Sequence, residues 1–238
     1  MEGEDSMGKL TLYFVRHGQT VFNFENKIQG WGDSFLTPQG IKGVEKLAKV
    51  WQQEGQTFDA VYSSDSGRTL QTSRLILAGI KSRQNPIPTP GLREYNFGYF
   101  EGGSELELAN AVSNKLAEKG LKLEEAYINN FSEYIDTIAM LDKEKKSNEQ
   151  NTWYSEDANQ YSKRLTESIT DIVNYNLNMR HESVLLVSHG MSIVTMVALF
   201  CIGQISPAEL TNIANASVTT IVYENGKYRL KKFAEIKK

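Results

Sequence analysis

The stretch that decides the fold is LTLYFVRHG, residues 10–18. Its first six residues, 10–15, form a short, largely apolar run rich in β-forming types, which is typical of a buried strand. Arg16, His17 and Gly18 follow directly and predict a loop where that strand ends. A buried strand that ends in an arginine and a histidine therefore opens the chain, and the same strand, loop and helix order recurs further along.

Two further strands are predicted at residues 58–62 and 183–187. Four long helices are indicated by capping residues or by apolar positions at helical spacing: 38–55, 67–79, 157–179 and 191–202. A terminal hairpin is predicted over residues 217–223 and 228–233, around Asn225-Gly226. Alternating strands and helices imply an α/β protein, a three-layer α/β/α fold with a mostly parallel central sheet.

The 238 residues are predicted to form a single domain over residues 9–238. Residues 1–8 are expected to be a disordered tail, in which Met7 is a possible alternative start. Residues from about 103 to 155 are polar and favour helix without any strand pattern, so they predict a helical cap insertion. Residues 85–90 contain three prolines, which indicate an extended connector or an edge strand.

Composition excludes several classes of partner. The 26 Lys and Arg residues against 29 Asp and Glu residues give a net charge of −3, so no general positive field attracts nucleic acid or an anionic membrane. The longest apolar runs are too short to cross a bilayer, and the amino terminus does not resemble a signal peptide. The one cysteine, Cys201, lies in an apolar run and is interpreted as a buried thiol. Together these features predict a cytoplasmic protein.

The chemistry-bearing residues coincide with the predicted strand ends. In an open parallel sheet, ligands bind outside the carboxyl ends of the strands. Arg16 and His17 follow the first strand, Arg68 lies in the first turn after the second, and His189 follows the third. Each is weak alone, since a single histidine is often a core residue and a single arginine a surface one. Aromatic residues near these loops could line a pocket or pack in the core: Phe22, Phe24, Trp31, Tyr95, Phe97, Tyr99 and Phe100.

These motifs resemble the histidine phosphatase superfamily, which includes the cofactor-dependent phosphoglycerate mutases. The residues that carry the resemblance are Arg16-His17-Gly18-Gln19-Thr20 with Asn23, Ile28-Gln29-Gly30-Trp31, Leu36-Thr37-Pro38-Gln39-Gly40, Ser63-Ser64-Asp65, Arg68-Thr69-Leu70-Gln71-Thr72, Leu92-Arg93-Glu94 with Phe97-Gly98 and Glu101-Gly102, and Ser188-His189-Gly190. The similarity covers residues 10–102 and 157–235. Jointly the motifs are highly specific.

The resemblance implies a role for each site residue. His17 would be the nucleophile, and Glu94 the general acid that protonates the leaving oxygen and later activates water. Arg16, Arg68 and His189 would stabilise the charge on the transferred phosphoryl group. The neutral donors to the same oxygens would be Asn23 and Gln29. This mechanism needs no metal, and the chain's three histidines show no metal-site spacing.

Three functions remain open at this point. The first is a phosphomonoester hydrolase acting on a small phosphorylated substrate, and the second is a phosphoglycerate mutase, which alone would require 2,3-bisphosphoglycerate as a cofactor. The phosphatase is favoured because no arginine occurs between Arg93 and Arg164 to hold a substrate carboxylate, and because residues 95–102 depart from the mutase pattern. Residues 156–160, Glu-Asp-Ala-Asn-Gln, also depart from the Gly-Glu-Ser that the family usually has before the last long helix. The third is a non-catalytic phosphate-binding domain. The physiological substrate and the oligomeric state stay open.

Overall fold

A six-stranded mixed sheet forms the centre of the protein. The structure is a computed structural model that describes residues 8–146, 153–211 and 213–237. The strands are β1 (Leu10–Arg16), β2 (Ala60–Ser63), β3 (Ile87–Pro88), β4 (Ser183–Ser188), β5 (Val218–Glu224) and β6 (Lys227–Glu235). Their order is β3-β2-β4-β1-β5-β6, with the first four parallel and the terminal hairpin antiparallel. The predicted fold class is confirmed, and the proline-rich segment forms an edge strand.

Several of the helices begin at residues whose side chains cap them. They are α1 (Val21–Phe24), α2 (Pro38–Gln53), α3 (Gly67–Gly79), α4 (Glu105–Ala117), α5 (Leu123–Asn129), α6 (Phe131–Lys145), α7 (Ala158–Asn178) and α8 (Gly190–Phe200). Thr37 caps α2 by accepting the Gly40 N–H, with Pro38 at the first helical position. Asp157 and Gln160 form a capping box at the start of α7. The short helix α1 has no counterpart among the predicted elements.

Two layers of apolar side chains enclose the sheet. On one face, Val15 and Val187 pack with Trp51 of α2 and Ile76 of α3. On the other face, a larger cluster packs Leu12, Phe14 and Leu186 against α7 and α8. Side chains alternate between faces along a strand, so the short apolar run of β1 contributes to both layers. This arrangement is the three-layer α/β/α architecture that the sequence predicts.

The segment predicted to be a cap, residues 103 to 155, contains the helices α4, α5 and α6, and these three helices are called the cap below. Its apolar residues Val112, Leu116 and Ile138 are buried and belong to the same cluster as the α7 face of the core. Asp142 anchors its carboxyl-terminal end, because its buried carboxylate accepts the Tyr99 and Ser155 N–H groups at 2.6 and 2.7 Å. The cap is therefore packed onto the core beside the carboxyl ends of the parallel strands.

Three further predictions concern the cysteine, membrane-spanning helices and the amino-terminal tail. Cys201 is buried, as predicted, and its thiol is free. No helix in the described residues is long and apolar enough to cross a membrane. The predicted tail lies outside the described residues except for Gly8.

Candidate active site

The carboxyl ends of β1, β2 and β4 bring together the four residues that the sequence assigns to strand ends. Arg16 ends β1, His17 follows it, and His189 is the N-cap of α8 directly after β4. Arg68 lies in the first turn of α3, which follows β2. The rings of His17 and His189 have centroids 5.3 Å apart. Residues more than 170 positions apart in the chain thus lie together, because parallel strands end at the same edge of the sheet. Arg16, His17, Arg68 and His189 are called the floor of the site below.

His17 is held with one ring nitrogen free. Its Nδ1 lies 2.8 Å from the Gly18 carbonyl oxygen, which can only accept, so Nδ1 carries the proton. Burial lowers the pKa of His17 well below its ordinary value, and the charges of Arg68 and Arg16 lower it further. The neutral ring therefore keeps a lone pair on Nε2, which is the form that a nucleophilic imidazole needs.

Arg68 is the most enclosed cation of the floor, with a side chain that is 0% exposed. Its Nη1 donates to the Gly32 carbonyl and to Asp33, both at 2.9 Å, and its Nη2 donates to the Gly30 carbonyl at 2.7 Å. Nη2 also lies 2.9 Å from Nδ1 of His189. Loop residues 30–33 thus fix the guanidinium in one orientation, with Asp33 as its charge partner.

The contact with Arg68 also sets the tautomer of His189. A guanidinium can only donate, so Nδ1 of His189 accepts and Nε2 carries the proton. That Nε2–H donates to Ser64 Oγ at 2.8 Å. Burial lowers the pKa of His189 well below its ordinary value, with the Arg68 charge as the next cause. His189 is therefore a neutral hydrogen-bond donor within the floor.

Arg16 brings a second buried guanidinium to the floor. Its Nη1 donates to the Ile213 carbonyl at 2.5 Å. The Nε groups of Arg16 and Arg68 are buried and have no hydrogen-bond partner among the described residues. Burial lowers the pKa of Arg16, and the nearby carboxylate of Glu94 opposes this shift. Two guanidiniums that are not fully satisfied make this floor suited to an anion.

Glu94 lies in the loop after β3 and lines the same cavity as His17. Its Oε1 accepts the N–H groups of Tyr95 and Ser192, both at 3.0 Å, and its Oε2 accepts the Met191 N–H at 3.0 Å. Tyr161 adds a hydroxyl 3.2 Å from Oε1. Two of these donors are the first free N–H groups of α8, where a helix favours negative charge. These bonds fix the carboxylate at the wall of the cavity that Glu94 lines.

The two predicted neutral donors differ in their surroundings. Asn23 accepts through Oδ1 from the Thr20 N–H and from Asn215 Nδ2, at 3.3 and 3.1 Å, which leaves its own Nδ2 for the cavity. Gln29 accepts the Thr20 hydroxyl at 2.6 Å and donates to Ser34 Oγ at 2.9 Å. Both ends of the Gln29 amide are thus engaged, so a direct bond from it to phosphate stays a prediction.

These residues open into a cavity of about 360 Å³ between the sheet edge and the cap. The floor contributes Arg16, His17 and Glu94, and the cap contributes Glu105 and two tyrosines, Tyr127 and Tyr134. Sequence reasoning missed the cap residues because no motif marks them. A larger open hollow of about 1320 Å³ lies at the opposite edge, beside Thr11 and Ser183, and none of the predicted site residues lines it.

A neutral imidazole, a guanidinium and a carboxylate line one cavity, and a second guanidinium, that of Arg68, is buried beside the imidazole. This set of groups suits the transfer of a phosphoryl group. The model of the histidine phosphatase superfamily, branch 1, matches residues 12–136 and 122–236. The chain belongs to the histidine phosphatase superfamily.

Named relatives include both phosphatases and mutases. A broad-specificity phosphatase of Saccharomyces cerevisiae is 29% identical over 222 residues, which cover 92% of this chain and 82% of the relative. A phosphoglycerate mutase from Bacillus anthracis is 31% identical with a TM-score of 0.85, covering 98% of this chain and 96% of that one. A phosphoserine phosphatase from Entamoeba histolytica shares the fold, with 23% identity and a TM-score of 0.69 over 95% of this chain and 98% of that one. The comparisons support an enzyme that is a phosphatase or a mutase.

Proposed function

We propose that this protein is a phosphomonoester hydrolase that acts on a small phosphorylated substrate through a phosphohistidine intermediate. The observation that carries the proposal is the orientation of His17, whose Nδ1–H is held by the Gly18 carbonyl while Nε2 stays unprotonated beside two arginines. A phosphate-binding domain without catalytic function would not need a nucleophile held in this way beside a carboxylate.

In the first half-reaction, the Nε2 lone pair of His17 attacks phosphorus and forms the N–P bond. The P–O bond to the leaving group breaks, and protonated Glu94 gives its proton to the departing oxygen. Arg16, which lines the cavity, stabilises the charge on the equatorial oxygens, and the buried Arg68 adds its positive charge beside His17. The Nδ2 amide of Asn23 adds a neutral donor, and the Nε2–H of His189 adds another once it turns from Ser64 Oγ to the phosphoryl group. Gln29 accepts the hydrogen bond of the Thr20 hydroxyl and so keeps Thr20 in place. Its Nε2 group, which donates to Ser34 Oγ, is the proposed donor to the phosphoryl oxygens.

In the second half-reaction, ionised Glu94 takes a proton from water as the water oxygen attacks phosphorus. The N–P bond breaks, its electron pair returns to Nε2, and inorganic phosphate leaves. His17 and protonated Glu94 are then restored. No step uses a metal ion, a nucleic acid or a membrane.

Phosphoglycerate mutase is the second candidate, and the relationship to the Bacillus anthracis protein favours it. Under that reading 2,3-bisphosphoglycerate would be the cofactor that maintains the phosphoenzyme. A mutase must also hold the carboxylate of phosphoglycerate, for which arginine is best suited. The cap contains no arginine, and the one lysine that lines the described cavity, Lys27, pairs with Glu25 at 2.8 Å. This charge distribution supports the hydrolase.

The deciding experiment measures phosphate release and isomerisation together. Purified protein in EDTA is given p-nitrophenyl phosphate, several alkyl phosphates and 3-phosphoglycerate, with and without 2,3-bisphosphoglycerate. We expect phosphate release from several esters, an acid-labile phosphoenzyme in rapidly quenched samples, and loss of both in His17→Ala. Rapid cofactor-dependent formation of 2-phosphoglycerate with little phosphate release would instead establish the mutase, and full activity in His17→Ala would refute the nucleophile.

A further inference from the structure

The cap places one exposed carboxylate, that of Glu105, at the wall of the cavity. Glu105 is the first residue of α4, and its side chain lines the cavity that His17 and Glu94 also line. Its backbone N–H bonds to the Asn26 carbonyl at 3.1 Å. Within the described parts of the chain, its carboxylate forms no ion pair or hydrogen bond with another side chain. Glu105 is nonetheless close enough to Arg16 to oppose the lowering of that residue's pKa by burial and so belongs to the electrostatics of the site.

The one lysine among the described residues that line this cavity does not balance Glu105. Lys27 is paired with Glu25 at 2.8 Å, and its ammonium also lies 5.7 Å from the centre of the Phe22 ring. The partner of Lys27 is a carboxylate outside the cavity lining. The cap side of the cavity therefore carries net negative charge, opposite in sign to the floor that receives the phosphoryl group.

Two tyrosines stand beside that charge. The rings of Tyr127 and Tyr134 meet edge to face with centroids 5.1 Å apart, and both line the cavity. Burial raises the pKa of Tyr134, and Glu105 adds to the shift, so the phenol and the carboxylate are electrostatic neighbours. No described residue forms a hydrogen bond with either hydroxyl. Aromatic faces next to a carboxylate attract an organic cation.

Apolar side chains line the rest of the cavity. They are Leu108 and Ala109 on α4 of the cap, and Ile28, Phe97, Met191 and Val194 outside it. A substrate that reaches from the floor to Glu105 would lay a carbon chain along these side chains.

We infer that the cap selects phosphomonoesters whose leaving group carries an ammonium and rejects those whose leaving group carries a carboxylate, with Glu105 as the specificity-determining residue and the two tyrosines as its aromatic partners. This inference rests on the proposed hydrolase function and names the substrate class for it. The negative charge of Glu105 repels a carboxylate on the leaving group. An ammonium on the leaving group loses hydration when it binds, and contacts with the Glu105 carboxylate and the two tyrosine rings replace that hydration.

Three esters of matched size test this inference: O-phosphoethanolamine, ethyl phosphate and 2-phosphoglycolate, with terminal ammonium, neutral and carboxylate groups. The quantity measured is the ratio of kcat/KM for the ammonium ester to that for the carboxylate ester. We expect a ratio above one in the unmodified protein, about tenfold lower in Glu105→Gln and lower still in Glu105→Lys, while ethyl phosphate changes by no more than about twofold. Glu107→Gln is the matched control, because Glu107 is on the same helix and does not line the cavity.

The outcomes separate the two proposals. If the unmodified protein releases phosphate from none of the esters, including p-nitrophenyl phosphate, the hydrolase proposal falls and this inference falls with it. If it hydrolyses them but favours 2-phosphoglycolate, or if Glu105→Gln leaves the ratio unchanged, only the inference about the cap is overturned. Thermal unfolding of each variant checks the fold, since a carboxylate at the first position of a helix interacts favourably with the helix dipole.

Discussion

Replacing Glu94 with glutamine separates its chemical role from its structural one. The carboxylate accepts two backbone N–H groups at Oε1, from Tyr95 and Ser192, and one at Oε2, from Met191. A glutamine amide has one acceptor oxygen, so its best orientation keeps that oxygen toward the first two donors and turns its NH₂ group against the Met191 N–H. One donor then loses its acceptor, at a cost of about 1–3 kcal/mol, and the other bonds lose their charge assistance.

We therefore expect Glu94→Gln to lower the free energy of unfolding by roughly 2–4 kcal/mol in urea titrations. Its kcat/KM for an alkyl phosphate should fall about 10²- to 10⁴-fold, because a strongly basic leaving oxygen needs a proton. The fall for p-nitrophenyl phosphate should be much smaller, since that leaving group departs as a stable anion.

Glu101→Gln is the matched control for the structural effect. Its carboxylate also accepts backbone N–H groups, those of Gly30, Trp31, Gly32 and Phe97, but it does not line the cavity. This variant should lose stability and affect both esters alike. Equal falls in kcat/KM for the alkyl and aryl esters in Glu94→Gln would refute the role of Glu94 as general acid. An unchanged free energy of unfolding in Glu94→Gln would refute the argument that one backbone N–H group loses its acceptor.

Two further expectations concern stability. The pKa values of His17 and His189 lie well below the ordinary 6.5, so the unfolded chain binds protons that the folded protein does not, and the free energy of unfolding should fall as the pH drops from 7 to 5. The slope of the free energy of unfolding against pH should approach about 1.4 kcal/mol per pH unit for each histidine, and it should be smaller in His189→Asn. Urea titrations that show no dependence on pH would contradict this expectation. Gly30→Ala should lower the free energy of unfolding by about 1–3 kcal/mol, because the added Cβ would lie 2.1 Å from the Tyr95 carbonyl oxygen. Gly43→Ala, on α2, should raise the free energy of unfolding by about 0.4–1 kcal/mol. Equal denaturation midpoints for the two variants would show that the loop around Gly30 relaxes.

Local sequence signals predicted most of the secondary structure. The Thr37-Pro38 start of α2 and the Asp157 start of α7 follow from side-chain capping, which acts within four residues. The order of the strands could not be predicted in the same way, since the partners of β1 are β4 and β5, far along the chain. The one-turn helix α1 was missed because a capping box between Thr20 and Asn23 stabilises it rather than a hydrophobic repeat.

The floor of the site was predictable and its walls were not. Arg16 ends a strand, and His17 and His189 each directly follow one, so the topology of a parallel sheet brings them together. Glu105 and Tyr127 lie on cap helices, and which side of such a helix faces the cavity depends on packing between distant segments.

The aromatic residues near the loops lie in three different environments, also because of packing between distant segments. Phe97 lines the cavity, whereas Tyr95 is fully buried and donates to the Glu156 carbonyl at 2.7 Å. Phe24 is 73% exposed. Residue type and position in the sequence do not distinguish these three environments.

The central position of β1 has a consequence for synthesis of the protein. Both hydrogen-bonding edges of this strand are covered by residues that the ribosome adds late, Ser183–Ser188 on one side and Val218–Glu224 on the other. Until those segments emerge, an apolar strand with two open edges exists in the nascent chain, which is the kind of segment that aggregates or recruits chaperones. His17, which follows β1, is translated well before the two segments, residues 183–188 and 218–224, that complete its surroundings.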